Sequence, residues 1–135
     1  MYDWEASYIA GIIDGEGSIT LTRWHTKEHR RPCISIASTD LELLMYVQSL
    51  TGGKINSKRN YNPDRHKDSF TLTVLKKDEV FSSLQSILPF LRIKKKKLRA
   101  KWILDHYESV TIRNGKYNAE QLLIKTNFEN EFFNI

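Results

Sequence analysis

The chain has 135 residues, of which 40% are hydrophobic, and its formal net charge is +5 at pH 7. This length suits one domain, predicted over residues 1–135, while the apolar content argues against disorder and the charge favours a polyanionic partner. The single cysteine, Cys33, excludes an internal disulfide and CxxC metal sites, and the lack of a membrane-length apolar run or a basic signal-peptide region predicts an intracellular protein without a membrane partner.

The first predicted element is a helix that begins near Trp4, with Asp3 as its cap. Gly15 and Gly17 are expected to end it, which places Glu16 at the C-terminal end of the helix. A carboxylate there is unfavourable by up to about 1 kcal/mol because that end carries partial negative charge. A bound cation such as Mg²⁺ or Ca²⁺ would reverse this effect. The alternative is a helix that packs in its own core and ends in a glycine turn.

The remaining elements follow from apolar periodicity, and they alternate hairpins with helices. The predicted strands cover residues 18–24, 32–38, 54–60 and 69–75. The predicted helices begin at Thr39 or Asp40, at Asp78 and at Lys94, and a last one covers residues 118–127 with Asn118 as its cap. The order α-β-β-α-β-β-α predicts an α+β fold in which one four-stranded antiparallel sheet carries helices on one face.

The opposite face of this sheet is predicted to be polar. Its side chains are mostly small or hydrogen-bonding: Ser18, Thr20, Thr22, Trp24, Cys33, Ser35, Asn56, Lys58, Asn60, Ser69 and Thr71. Such a face is either plain solvent surface or a surface that reads base edges in a DNA major groove. Cations at strand ends, among them Arg30 and Arg31, lie where phosphates would lie and favour the second interpretation.

Two other features leave alternatives open. Residues 92–101, RIKKKKLRAK, hold seven cations in ten positions, which suits either a solvated helix face or a phosphate-contacting or catalytic lysine. Ala10, Gly11 and Gly15 are small and spaced so that the first helix could approach its own copy across a two-fold axis. That pairing would bring together two copies of Glu16, whereas one carboxylate alone is meagre for a metal-dependent enzyme.

The segment IAGIIDGEG, residues 9–17, closely resembles the LAGLIDADG motif of homing endonucleases. The resemblance continues through ISIASTDLELLMYVQSLTGGKI (34–55) and LPFLRIKKKK (88–97) and covers about residues 4–107, leaving a helical extension over 108–135. It implies the αββαββα homing-endonuclease fold, whose saddle-shaped sheet sits in the major groove of double-stranded DNA. A chain with one motif would act as a homodimer, and its motif helices would meet through Ile9, Ala10, Gly11, Ile12 and Ile13.

The resemblance also implies roles for residues of the site. Glu16 would hold Mg²⁺, for which Ca²⁺ or Mn²⁺ could substitute, with help from the backbone carbonyl of Gly15. Lys94 matches the family's active-site lysine, Lys96 is a neighbouring candidate for DNA contact, and Ser38 stands where relatives often carry a water-ordering glutamine. The implied function is metal-dependent double-strand cleavage of a long, near-palindromic target in intron or intein homing, without a small-molecule cofactor. The alternative is a maturase or transcription regulator that binds nucleic acid without cutting it.

Overall fold

The computed structural model describes residues 1–135, and it confirms the predicted order of helices and strands. The elements are α1 (Asp3–Glu16), β1 (Gly17–Thr22), β2 (Arg31–Ser38), α2 (Leu41–Thr51), β3 (Lys54–Ser57), β4 (Phe70–Val74), α3 (Lys77–Ile87), α4 (Lys94–Val110) and α5 (Ala119–Phe133), with a 3₁₀ turn at Leu88–Phe90. None of these helices combines the length and the apolarity that crossing a bilayer requires.

The four strands form one antiparallel sheet in the order β1-β2-β4-β3, which confirms the predicted α+β fold. Its register places Ile19 opposite Ile34, and Leu72 opposite both Ile36 and Ile55. Because side chains alternate along a strand, these apolar residues share one face of the sheet. The helices pack on that face and leave the other face uncovered.

The hydrophobic core lies between the sheet and the helices and draws on every helix. Ile9 and Ile13 of α1 are buried against it, and Phe128 and Phe132 of α5 belong to the same cluster. The other buried members are Ala10, Ile19, Leu21, Ile34, Ile36, Leu44, Val47, Leu72, Val74, Val80, Leu84, Ile87, Leu91, Ala100 and Ile103. The segment after residue 107, predicted only as an extension, therefore helps to complete the core.

Helix starts were predicted with mixed success. The prediction of Asp3 as the first cap is wrong, because α1 begins one residue earlier and the Tyr2 backbone N–H donates to Glu5 Oε1 at 2.9 Å. Asp78 likewise lies inside the first turn of α3 rather than at its cap. The cap at Asn118 is confirmed: its Oδ1 accepts from the Gln121 backbone N–H at 2.8 Å.

Two boundaries differ in a way that matters for the site. Gly15 does not end α1, which continues through Glu16 and is capped at Gly17. Strands β3 and β4 are shorter than predicted, so residues 58–69 form a loop. Asn60 stabilises this loop locally, since its Nδ2 donates to the carbonyl of His66 at 2.8 Å and to Asp68 Oδ1 at 3.1 Å.

Helix α5 carries a buried lysine. Lys125 is only 1% exposed, and its Nζ donates to Thr111 Oγ1 at 2.6 Å and lies 4.4 Å from the centre of the Tyr107 ring. Burial lowers the pKa of Lys125 to about 8, and Glu129 only partly offsets this effect. Burial therefore makes the charged form less stable in the folded protein than in water, although Lys125 remains mostly protonated at pH 7 because its pKa lies above that pH.

We expect Lys125→Met to raise the free energy of unfolding at pH 7 by about 1 kcal/mol, because it removes a buried charge and keeps the apolar stem. The folded pKa of about 8 lies below the unfolded value of about 10.4. The destabilisation that the buried charge of Lys125 causes in the wild type is thus complete below pH 8, and it disappears as the pH rises towards 10.4. Urea unfolding at pH 7 and pH 9.5 measures this difference, which should narrow at the higher pH.

The control is Lys97→Met, which changes an exposed lysine of α4 and should show no such narrowing. If the free energies of unfolding of Lys125→Met and the wild type differ by the same amount at both pH values, Lys125 does not have the lowered pKa assigned to it.

Candidate functional site

The C-terminal end of α1 meets the N-terminal end of α4. Asp14 accepts two backbone hydrogen bonds across this junction, from Arg92 N–H to Oδ2 at 2.9 Å and from Ile93 N–H to Oδ1 at 3.1 Å. Both donors belong to the residues that immediately precede α4, where backbone N–H groups lack helical partners and carry partial positive charge. Asp14, whose role the motif did not explain, therefore stabilises the start of a helix 80 residues further along the chain.

Lys96 makes the reverse connection. Its Nζ donates to the carbonyls of Ile13 at 2.6 Å and Asp14 at 2.8 Å, which belong to the last turn of α1. A cation is favourable there because the last carbonyls of a helix carry partial negative charge. Lys96 was predicted to contact DNA, and within the chain its ammonium group is held at the end of α1.

Glu16 and Lys94 lie next to this double connection. Glu16 is the last residue of α1 and Lys94 the first residue of α4, and both side chains are exposed. Gly15 is also exposed, and a Cβ added to it would meet nothing within 4 Å, so its backbone is open to an approaching group. The two acids of the motif thus differ: Asp14 is used inside the fold, whereas Glu16 faces outward.

The oxygen donors of Glu16 and Gly15 fit a hard divalent cation such as Mg²⁺ or Ca²⁺. The chain gathers no group of three or more His, Cys, Asp or Glu residues that could enclose a metal by itself. One carboxylate and one carbonyl fill only part of the six or more positions that these ions require. The remaining ligands would have to come from water, from phosphates or from a second copy.

The face of α1 that is open to a partner differs from the predicted one. Ile9, Ala10 and Ile13 are at most 1% exposed and pack in the chain's own core. Gly11 is exposed with open space around it, and Ile12 is half-buried. Of the five residues predicted for the interface, only Gly11 and Ile12 are therefore accessible to a partner.

Two aromatic residues are also exposed on this open face of α1. Trp4 and Tyr8 are 67% and 50% exposed. Together with Tyr46 of α2 they line a shallow apolar hollow, and the Tyr8 and Tyr46 rings meet edge to face at 5.8 Å. Sequence reasoning missed this hollow because an apolar residue on a helix gives the same signal whether it packs inward or outward.

The uncovered face of the sheet forms a wide polar cleft. Of the residues predicted for nucleic-acid contact, seven line it: Ser18, Thr20, Thr22, Trp24, Cys33, Ser35 and Asn56. Arg23, Lys54, Thr73 and Lys76 also line it and were not predicted. The register explains the grouping, since Thr20 lies opposite Cys33, and Ser35 lies opposite Thr73. Burial raises the pKa of the Cys33 thiol, which keeps it protonated at neutral pH.

Other predicted contact residues lie elsewhere. Lys58, Asn60 and Ser69 belong to the 58–69 loop. Ser38 shares the helix side of the sheet with Ile34 and Ile36 by alternation, and its Oγ accepts from the Asp40 backbone N–H at 3.0 Å.

The last three predicted contact residues are Thr71 and two arginines of β2 and the segment before it. Thr71 faces the same side as Asn56, and its hydroxyl is buried without a partner. Arg31 begins β2 and is exposed. Arg30 points instead to α5, with its Nε 3.4 Å from Glu129 Oε1.

Comparison with known proteins identifies relatives of this arrangement. The sequence profile of the LAGLIDADG-like domain family matches residues 3–97, whereas no curated protein sequence is significantly similar to the chain. Among solved structures, the chain resembles homing endonuclease I-CvuI in complex with its target in the presence of Ca, with 16% identity, a TM-score of 0.69 and coverage of 97% of this chain and 81% of that chain.

Two further solved structures are similar. The LAGLIDADG homing endonuclease I-GzeII in complex with its DNA target has 17% identity and a TM-score of 0.67, over 96% of this chain and 44% of that chain. The homing endonuclease I-TnaI has 20% identity and a TM-score of 0.60, over 93% of this chain and 86% of that chain. At such identities these likenesses show the fold.

We expect Asp14→Asn to lower the free energy of unfolding by about 2 kcal/mol. An amide offers one acceptor oxygen and no charge, so one of the two backbone N–H groups before α4 loses its partner. Urea unfolding at pH 7 measures the loss. Asp105→Asn is the matched control, since Asp105 makes only an exposed ion pair with Lys101 at 2.9 Å, worth about 0.5 kcal/mol. Equal losses in the two variants would show that Asp14 does not stabilise the junction.

Proposed function

The chain belongs to the LAGLIDADG-like domain family, and from this premise we propose that it is a site-specific DNA endonuclease that cuts both strands of a long, near-palindromic target as a homodimer. The observation that carries the proposal is the placement of Glu16. This exposed carboxylate ends α1, directly before the strand whose polar side chains line the cleft. The connection made by Asp14 and Lys96 joins the end of α1, which carries Glu16, to the start of α4, which carries Lys94.

The cleft suits double-stranded DNA by its side chains and by its size. Hydroxyl, amide and ammonium groups such as those of Thr20, Asn56 and Lys54 can pair with base edges in a major groove, and Arg23 and Lys76 add positive charge. At about 3.3 Å per residue, strands of six and eight residues extend roughly 20–26 Å. Each sheet would follow about 6–8 base pairs of roughly 3.4 Å each. Two copies, together with the central base pairs between them, would cover on the order of 20 base pairs.

The chemistry would take place where Glu16, Gly15 and Lys94 face the DNA backbone. Glu16 and the Gly15 carbonyl would hold a divalent cation, Mg²⁺ by preference, which supplies Lewis acidity towards the phosphate and a more acidic bound water. Lys94 would stabilise negative charge that develops on the phosphate oxygens. Asp14 and Lys96 would act as positioning residues, since they fix the two helix ends without facing the DNA.

Two copies are needed because each chain contributes one exposed Glu16 and the duplex has two strands. The open face of α1, with Gly11 at its centre and Trp4 and Tyr8 beside it, would be the shared surface. Small residues allow helix backbones to approach closely, and exposed aromatic residues are enriched where interfaces form. A two-fold dimer in turn accounts for a near-palindromic target.

We expect Glu16→Gln to abolish cleavage and to leave binding largely intact. DNA selected from a random pool by the wild-type protein is the substrate, cleavage is measured in Mg²⁺, and binding is measured in Ca²⁺. Glu42→Gln, which alters an exposed carboxylate of α2, is the control and should cut normally. If Glu16→Gln cuts at the wild-type rate, the metal assignment is wrong; if the wild-type protein binds the selected DNA and never cuts it, the chain is a binding protein.

We expect Gly11→Leu to separate the dimer and preserve the fold of each chain. A Cβ added at Gly11 meets nothing within 4 Å, and leucine favours a helix over glycine by about 0.8 kcal/mol. The bulk would keep the two copies of α1 apart, so sedimentation should show self-association weakened roughly 100-fold, which is about 2.7 kcal/mol. The control is Gln85→Leu, on the exposed side of α3, which should leave self-association unchanged. Wild-type association in Gly11→Leu would exclude this face as the interface.

A further inference from the structure

The C-terminal helix α5 contacts the loop that joins β1 and β2, residues 23–30. Glu129 of α5 lies between two cationic or basic groups of that loop, with Oε1 3.4 Å from Arg30 Nε and Oε2 3.8 Å from His29 Nδ1. The Glu129 side chain is only 15% exposed. Water therefore screens the contact between Glu129 and Arg30 less than it screens a fully exposed ion pair.

Aromatic contacts reinforce this connection. The guanidinium carbon of Arg30 lies 5.0 Å from the centre of the Phe133 ring, within the range of a cation–π contact. The His29 ring lies 4.4 Å from the ring of Tyr117, which precedes α5. The end of the loop nearest β2 is thus held at several points by residues 117–133.

The other end of the same loop faces the cleft. Arg23 and Trp24 directly follow β1, are exposed and line the polar cleft. Strand β1 begins beside Glu16 and has six residues, so the loop lies roughly 20 Å from the site of cleavage. In the proposed complex, this is the outer end of each half-site.

We propose that Glu129 is a positioning residue: by holding Arg30 and His29, it fixes the loop so that Arg23 and Trp24 read the outermost base pairs of each half-site. The inference rests on the proposed function, because it assumes that the cleft binds DNA. In this inference, Arg30 contacts α5 within the protein rather than a phosphate of the DNA. The inference also makes α5, which lies outside the segment that matches the family profile, a determinant of specificity.

The competing account treats Glu129 as one more negative charge near a polyanion. On that account, its removal would tighten DNA binding generally and change no base preference. Glu131 offers a matched comparison, since it lies two positions along α5, is exposed and makes no ion pair.

The experiment compares Glu129→Gln with Glu131→Gln, which change net charge equally. In the free protein, hydrogen exchange of the backbone amides of residues 23–30 should become at least about fivefold faster in Glu129→Gln alone. On DNA selected by the wild-type protein, Glu129→Gln should lose at least about tenfold in discrimination against substitutions at the outer base pairs and keep its discrimination at the inner ones. A double variant with Arg30→Glu and Glu129→Arg restores opposite charges. It should recover part of the slow hydrogen exchange of residues 23–30 and part of the discrimination at the outer base pairs.

The outcomes separate the two proposals. If Glu129→Gln matches Glu131→Gln in exchange and in discrimination, or if exchange rises while outer discrimination stays at the wild-type level, the positioning role is overturned. If the wild-type protein selects no DNA sequence, the proposed function fails and this inference with it. The exchange measurement then still reports whether Glu129 holds the loop, because it requires no DNA.

Discussion

Two helix ends of opposite polarity meet in this protein, and each is satisfied by a charged side chain from the other. Asp14 accepts from the backbone that precedes α4, and Lys96 donates to the last carbonyls of α1. The helix dipoles favour both contacts, since the carboxylate meets a positive end and the ammonium a negative end. Glu16 and Lys94 neighbour these partners in sequence, so the same contacts determine how far apart the two exposed groups can lie.

The rest of the molecule separates apolar from polar surface around this junction. Helices cover one face of the sheet, and strand alternation then forces hydroxyl and amide side chains onto the uncovered face. Helix α1 is apolar on two sides. Ile9 and Ile13 complete the core, whereas Trp4 and Tyr8 face solvent beside Gly11. A helix with two apolar sides and one exposed glycine is suited to packing on two partners at once.

Local signals in the sequence predicted the sheet, the order of the helices and about half of the residues that line the polar cleft. The Asn118 cap was predictable because both of its hydrogen bonds are made with Gln121, which lies three residues further along the chain. Asp14 was not predictable in this way, since its donors at Arg92 and Ile93 are distant in the chain. The contact between Arg30 and Glu129 was missed for the same reason. The exposure of Trp4 and Tyr8 was not predictable from the sequence, because periodicity detects an apolar residue without showing which neighbour covers it.

The family profile ends at residue 97, within the first turn of α4, yet the core does not end there. Phe128 and Phe132 fill it from the last helix, and Ile103 fills it from the middle of α4. During synthesis, the sheet is therefore complete long before its apolar face can be fully covered. Until α5 has been added, that apolar face can contact other chains, so the packing of α5 protects the newly made protein against aggregation.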